Sequence, residues 1–217
     1  MNEARQHRFQ PPEGAADLLL IRHGETQAAV RGQSFPMIGG QGDPALRAEG
    51  EAQAQAVGAR LKAEPIKAIY VTTMQRTHQT AAPLAAALGM TPRVEPDLRE
   101  VFLGDWDGGE FRFRQQANDP AFMRARELQE WGELPGAETT AALQARVKAG
   151  LQRIAAAHAN ELVAVVVHGG VISAALAVAT GSPAFAFNGA DNGSISRIVV
   201  HGERMTLRGF NDVTHLR

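Results

Sequence analysis

The chain is 217 residues long, enough for one large α/β domain whose core needs no covalent staples. Hydrophobic residues make up 44% and charged residues 21%, which excludes long disorder, and a formal net charge of -1 supplies no bulk field for nucleic acid or an anionic membrane. Cysteine is absent, so disulfides, thiolate nucleophiles and thiolate zinc sites are excluded together.

Residues 1–16 read as a flexible polar tail carrying Pro11-Pro12 and no signal-peptide core, and residues 17–217 as a single domain. No apolar run approaches the ~20 residues that span a bilayer, so a soluble cytoplasmic protein is expected. The first strand falls near Leu18–Ile21 and leads into Arg22-His23-Gly24-Glu25-Thr26. A glycine-rich loop follows through Gly39-Gly40-Gln41-Gly42-Asp43-Pro44, then a helix over about 46–62 with Gly50, Ala54, Val57 and Leu61 on one face. Ile66–Thr72 reads as a second strand, rich in β-branched and aromatic residues. The helix over about 75–88 is expected to kink or restart at Pro83 and to close at Gly89. Arg93–Glu95 is a short strand. Residues 104–136 have no clean period and mix aromatics with charges, so they read as short helices over the strand ends, with 109–133 a capping insertion. A long helix over about 139–157 carries Leu143, Val147, Leu151 and Ile154 inward. The strand Leu162–Val167 then runs into His168-Gly169-Gly170, a helix covers about 171–179, and the last segments, 194–201 and 204–210, form a hairpin around Gly202-Glu203. Alternating strands and helices predict an α/β fold: a mostly parallel central sheet, helices on both faces, and an antiparallel C-terminal hairpin at one edge.

Two buried strands that each end in histidine and glycine place imidazoles at the lip where open α/β sheets bind ligands. A phosphate monoester is a dianion that breaks through a highly charged transition state, so positioning and cations do most of the catalysis. Arg22 and Arg76 supply planar forks that match phosphate oxygens. His23 suits attack on phosphorus if its ring is neutral and its far nitrogen is held by a backbone carbonyl. His168 suits a donor on the opposite side, and Glu100 suits an acid that protonates the leaving oxygen, with its pKa raised by burial. Gly24, Gly169 and Gly170 let backbone N–H groups approach an anion. His7, His78, His158, His201 and His215 read as structural or solvated, and Asn192 is equally a turn residue and a site residue.

Four segments together resemble the histidine phosphatase superfamily, the phosphoglycerate mutase-like fold. Arg22-His23-Gly24-Glu25-Thr26 is similar to its hallmark strand end, and the stretch Val71 to Ala81 to the segment bearing the second arginine, Arg76. Leu98-Arg99-Glu100, with Gly104, Trp106 and Gly108, resembles the proton-donor segment, and His168-Gly169 the second histidine. The chain departs from the family in lacking an asparagine in Gln27-Ala28-Ala29-Val30, and the glycine–glutamine loop is matched by Gly40-Gln41-Gly42, which makes Gln41 a candidate phosphate ligand. The resemblance implies a phosphomonoesterase acting on a small phosphorylated metabolite through a phosphohistidine on His23, with no cofactor and no metal. The alternatives are a mutase using the same intermediate and a non-catalytic module that binds phosphorylated ligands. The short insertion and the missing asparagine favour hydrolysis over isomerisation. No nucleic-acid or membrane partner is expected, and a homodimer is compatible with the composition. Substrate identity is not legible.

Overall fold

In the computed structural model, which describes residues 6–217, the centre is a six-stranded sheet. Its order is β5 (Arg93–Val94), β4 (Ile66–Val71), β6 (Leu162–Val167), β1 (Ala16–Arg22), β7 (Ile195–His201) and β8 (Arg204–Asp212). The first four are parallel, while β7 lies antiparallel to β1 and β8 antiparallel to β7. This is the expected parallel sheet with a C-terminal hairpin at its edge.

Helices α1 (Ala48–Leu61) and α2 (Gln75–Leu88) cover one face, and α5 (Thr140–Ala157) and α6 (Gly169–Thr180) the other. The insertion supplies α3 (Glu110–Gln116) and α4 (Pro120–Leu128), flanked by short 3-10 turns. Because side chains alternate along a strand, β1 sends Leu18 and Leu20 to the α5–α6 core and Leu19 and Ile21 to the α1–α2 core. That two-sided burial is why β1 and β6 read as unbroken apolar runs. Each fully buried Leu or Ile adds roughly 1.5–3 kcal/mol. A third cluster, Trp106, Phe122, Ala125 and Leu134, holds the insertion together.

Several boundaries differ from expectation for physical reasons. The first five residues of the expected tail lie outside the described residues. At its other end Ala15 and Ala16 are buried, and Gly14 N–H donates to Asn160 Oδ1 at 2.7 Å, so the chain is anchored before β1 begins. The glycine-rich loop forms a small hairpin of β2 (Met37–Ile38) and β3 (Gln41–Gly42). Gly39 and Gly40 turn it with φ of 54° and 81°, as a tight two-residue connection requires. Pro83 does not restart α2, whose helical span is continuous through it. Its ring packs on α1 where Gly58 has no side chain (a Cβ there would lie 3.0 Å from Pro83 Cβ), and this tertiary contact outweighs the lost backbone bond. α6 starts at Gly169 rather than 171, because His168 takes the extended conformation of an N-cap. No helix among the described residues is long and apolar enough to cross a membrane.

Candidate active site

The parallel register aligns the strand ends. Arg22 of β1 sits beside Val167 of β6, and Tyr70 of β4 beside Val165. The residues that follow, His23, His168 and Thr72, therefore emerge along one edge. The two imidazoles meet with centroids 5.2 Å apart and planes inclined at 64°.

His23 is buried and its Nδ1 lies 2.8 Å from the Gly24 carbonyl. A carbonyl only accepts, so Nδ1 carries the proton and Nε2 keeps its lone pair. Burial, then the charges of Arg76 and Arg22, push the His23 pKa well below its ordinary 6.5. The ring is neutral over the physiological range. Asn192 Nδ2 donates to the His23 carbonyl at 2.8 Å, which makes it a site residue as well as a turn residue.

His168 is fully buried, and its Nε2 lies 3.0 Å from Thr72 Oγ1. The Thr77 hydroxyl donates to the Met74 carbonyl at 2.8 Å, and the Thr72 hydroxyl accepts from Met74 N–H at 3.2 Å. The Thr72 hydroxyl also lies 3.2 Å from the Thr77 hydroxyl, so the Thr72 proton goes either to His168 Nε2, which puts the His168 proton on Nδ1, or to Thr77 Oγ1, with Nε2 donating to Thr72. Nδ1 is the nitrogen left without a protein partner. Burial, and after it Arg76 and His23, also hold the His168 pKa well below 6.5.

Three arginines converge here. Arg22 donates to the Ala190 carbonyl, and its Nε is buried without a partner. Arg76 is buried, donating to the Gly42 carbonyl at 3.0 Å, with Asp43 at 3.6 Å. Arg112 of α3 reaches down to Thr26 Oγ1 and the Gln27 carbonyl, at 2.6 and 2.7 Å. The sequence placed Arg112 only among the arginines of the insertion, and no local signal separates it from its neighbours Arg114, Arg124 and Arg126. Thr72 was likewise read only as strand and motif.

Glu100 caps the start of α6: its Oε1 accepts from Val101 N–H at 2.9 Å and from Gly170 N–H at 3.1 Å. Burial raises its pKa, against the lowering pull of those bonds and of Arg76 and Arg22. Three of the predicted phosphate donors are otherwise engaged, Gly170 N–H by Glu100 itself. Gln41 is buried, but its amide donates to the Glu100 and Val101 carbonyls at 2.7 and 3.3 Å, leaving no side-chain donor for phosphate. Gly24 N–H donates to Thr80 Oγ1 at 2.9 Å. Gly24 is needed for another reason: a Cβ there would lie 2.4 Å from the Gly50 carbonyl, so the hallmark loop sits directly on α1. Gly169, the first residue of α6, lines the cleft beside Arg22 and Glu100. His158 lies apart, bound to Glu161 and Tyr70 at 2.7 and 3.1 Å. Among the described residues no group of three or more His, Asp or Glu is placed to hold a metal ion.

A dianion between two neutral imidazoles and three guanidinium groups, with a buried carboxyl alongside, is what this arrangement can hold. The family model of the histidine phosphatase superfamily (branch 1) matches residues 18–213. The chain belongs to this superfamily. Phosphoglycerate mutase-like protein 4 of Arabidopsis thaliana is 31% identical, over 93% of this chain and 87% of that one. A metal-independent phosphoserine phosphatase of the same plant is 30% identical, over 92% and 83%. Among solved structures of histidine phosphatase relatives, the alpha-ribazole phosphatase of Shigella flexneri superposes with a TM-score of 0.72 at 28% identity, covering 90% of this chain and 96% of that one.

Proposed function

We propose that this histidine phosphatase hydrolyses the phosphate monoester of a small metabolite through a phosphohistidine at His23 Nε2, without a divalent metal. One observation carries the reading: the Gly24 carbonyl holds the Nδ1 proton of a neutral His23, leaving Nε2 as a nucleophile beside Arg22 and Arg76. Nε2 attacks phosphorus while the ester P–O bond breaks. Arg22, Arg76 and Arg112 bear the charge on the equatorial oxygens, with the His168 Nδ1 proton as a further donor. Glu100, whose pKa burial raises, gives its proton to the leaving oxygen. The same carboxylate then takes a proton from water as water attacks the phosphohistidine, and inorganic phosphate leaves. Gln41 serves here by holding the Glu100 backbone, not by touching phosphate.

Rapid acid-free quenching with a 32P-labelled ester is expected to trap a base-stable, acid-labile adduct. His23→Ala abolishes both adduct and turnover, and dialysis against a chelator leaves the rate unchanged. Full turnover by His23→Ala would overturn the mechanism. Formation of 2-phosphoglycerate from 3-phosphoglycerate much faster than phosphate release would replace hydrolysis by the mutase reading.

A further inference from the structure

A cleft of about 470 Å³ opens beside the reacting groups. Arg22, Glu100 and Gly169 belong to its floor. Its wall is aromatic and assembled from distant segments: Phe111 of α3, Trp131 after α4, and Phe185 beyond α6. Trp131 and Phe185 lie 4.8 Å apart between centroids and are inclined at 43°, and Phe111 is 6.1 Å from Trp131. Phe111 and Trp131 also pack on the insertion core of Trp106, Phe122, Ala125 and Leu134, and Phe122 and Ala125 of that core line the same cleft. The core residues are all under a tenth exposed, whereas Phe111, Trp131 and Phe185 stay half-buried along the cleft.

We infer that this cleft receives the alcohol part of the substrate and selects phosphate esters whose alcohol carries an aromatic ring. The inference rests on the phosphomonoesterase reading above. Glu100 protonates the ester oxygen, so that oxygen sits at the cleft floor and the carbon it leaves with extends into the space above. The volume is that of a pocket for a ring-bearing molecule rather than a three-carbon acid. Aromatic walls favour a ring by offset or edge-to-face contact, beyond the area they bury. Away from the floor, Arg126 is the charged lining residue; its guanidinium lies 5.8 Å from the Phe122 ring, in the position of a cation over aromatic faces. The remaining polar side chains, Gln115 and Asn188, are neutral and at the rim.

The test compares kcat/KM of the full chain on primary-alcohol esters with similar leaving groups: 2-phenylethyl phosphate, 2-cyclohexylethyl phosphate, glycerol 1-phosphate and O-phosphoserine. The phenylethyl ester is expected to lead the last two by at least about tenfold and to exceed the cyclohexyl ester. Trp131→Ala and Phe185→Ala are expected to lower the phenylethyl-to-glycerol ratio about tenfold each, and Trp131→Phe to keep most of it. A ratio does not depend on the fraction of folded enzyme, so partial misfolding does not blur the result. Equal rates on the phenyl and cyclohexyl esters would overturn selection for a ring. Preference for glycerol 1-phosphate or O-phosphoserine, with turnover still dependent on His23, would overturn the inference while the phosphatase reading stands. No turnover of any ester would overturn that reading and the inference with it.

Discussion

Two hydrogen bonds decide which nitrogen each imidazole offers to a phosphate. The Gly24 carbonyl takes the Nδ1 proton of His23, and the Thr72 hydroxyl meets Nε2 of His168. With Thr72 donating to His168 Nε2, the proposed mechanism has one ring present a lone pair and the other a proton, although both are neutral. Thr72 is a positioning residue acting through His168. Thr72→Val is expected to lower kcat on the order of tenfold by freeing His168 to carry its proton on Nε2. Thr72→Ser should restore most of the rate. Nitrogen chemical shifts of His168 would show the change of tautomer directly, and an unchanged spectrum in Thr72→Val would refute the role.

At the level of elements, the hallmark loop is seated on α1 by a close backbone approach, in addition to the side chains that bond to it. A Cβ on Gly50 would lie 2.0 Å from the Glu25 carbonyl, a clash that only a shift of α1 or of the loop relieves. Periodicity placed Gly50 on the inner face of its helix, but why glycine stands there became visible only with the loop packed against it. Gly50→Ala is expected to cost roughly 1–3 kcal/mol and to lower kcat as well, because the displaced loop follows His23 and Gly24. Gly209→Ala in β8, where a Cβ meets nothing within 4 Å, is the control. Thermal melts of the two variants decide it: equal melting temperatures would mean the contact is not tight.

For the whole molecule, the main consequence of the site is a dependence of stability on pH. His23 and His168 are held neutral by burial and by arginine charge, so their folded pKa values lie below the unfolded 6.5. As pH falls below that value the unfolded chain takes up protons that the folded chain refuses, so stability drops with acidification. Two such groups give at most about 2.7 kcal/mol per pH unit. Calorimetry should show the melting temperature falling between pH 6.5 and 5, with a shallower slope in His168→Asn. Added inorganic phosphate should stabilise more at low pH than at pH 8, because a bound anion favours imidazolium. A flat profile from pH 7 to 5 would contradict the buried neutral imidazoles.

The alternation of strands and helices was legible along the chain, as were most side chains that the fold gathers at the candidate site. β1 and β6 are buried on both faces, and such strands must be written as unbroken apolar runs, each here ending in histidine and glycine. Arg22, His23, Arg76, Glu100 and His168 follow such local signals and come together at one edge, because parallel strands bring their C-terminal ends into line. Choices between chemically equal residues, and the directions of side chains, were settled by packing alone. Arg112 bonds to Thr26 while its neighbour Arg114 pairs with Glu110 and Asp119, and an aperiodic segment carries no mark of which arginine faces inward. Gln41 turns its amide onto the Glu100 carbonyl, and Pro83 stays within a continuous helix because Gly58 makes room for it. Periodicity and propensity are local and can be read along the chain, whereas these outcomes depend on contacts between segments far apart in it, and those exist only once the chain is folded.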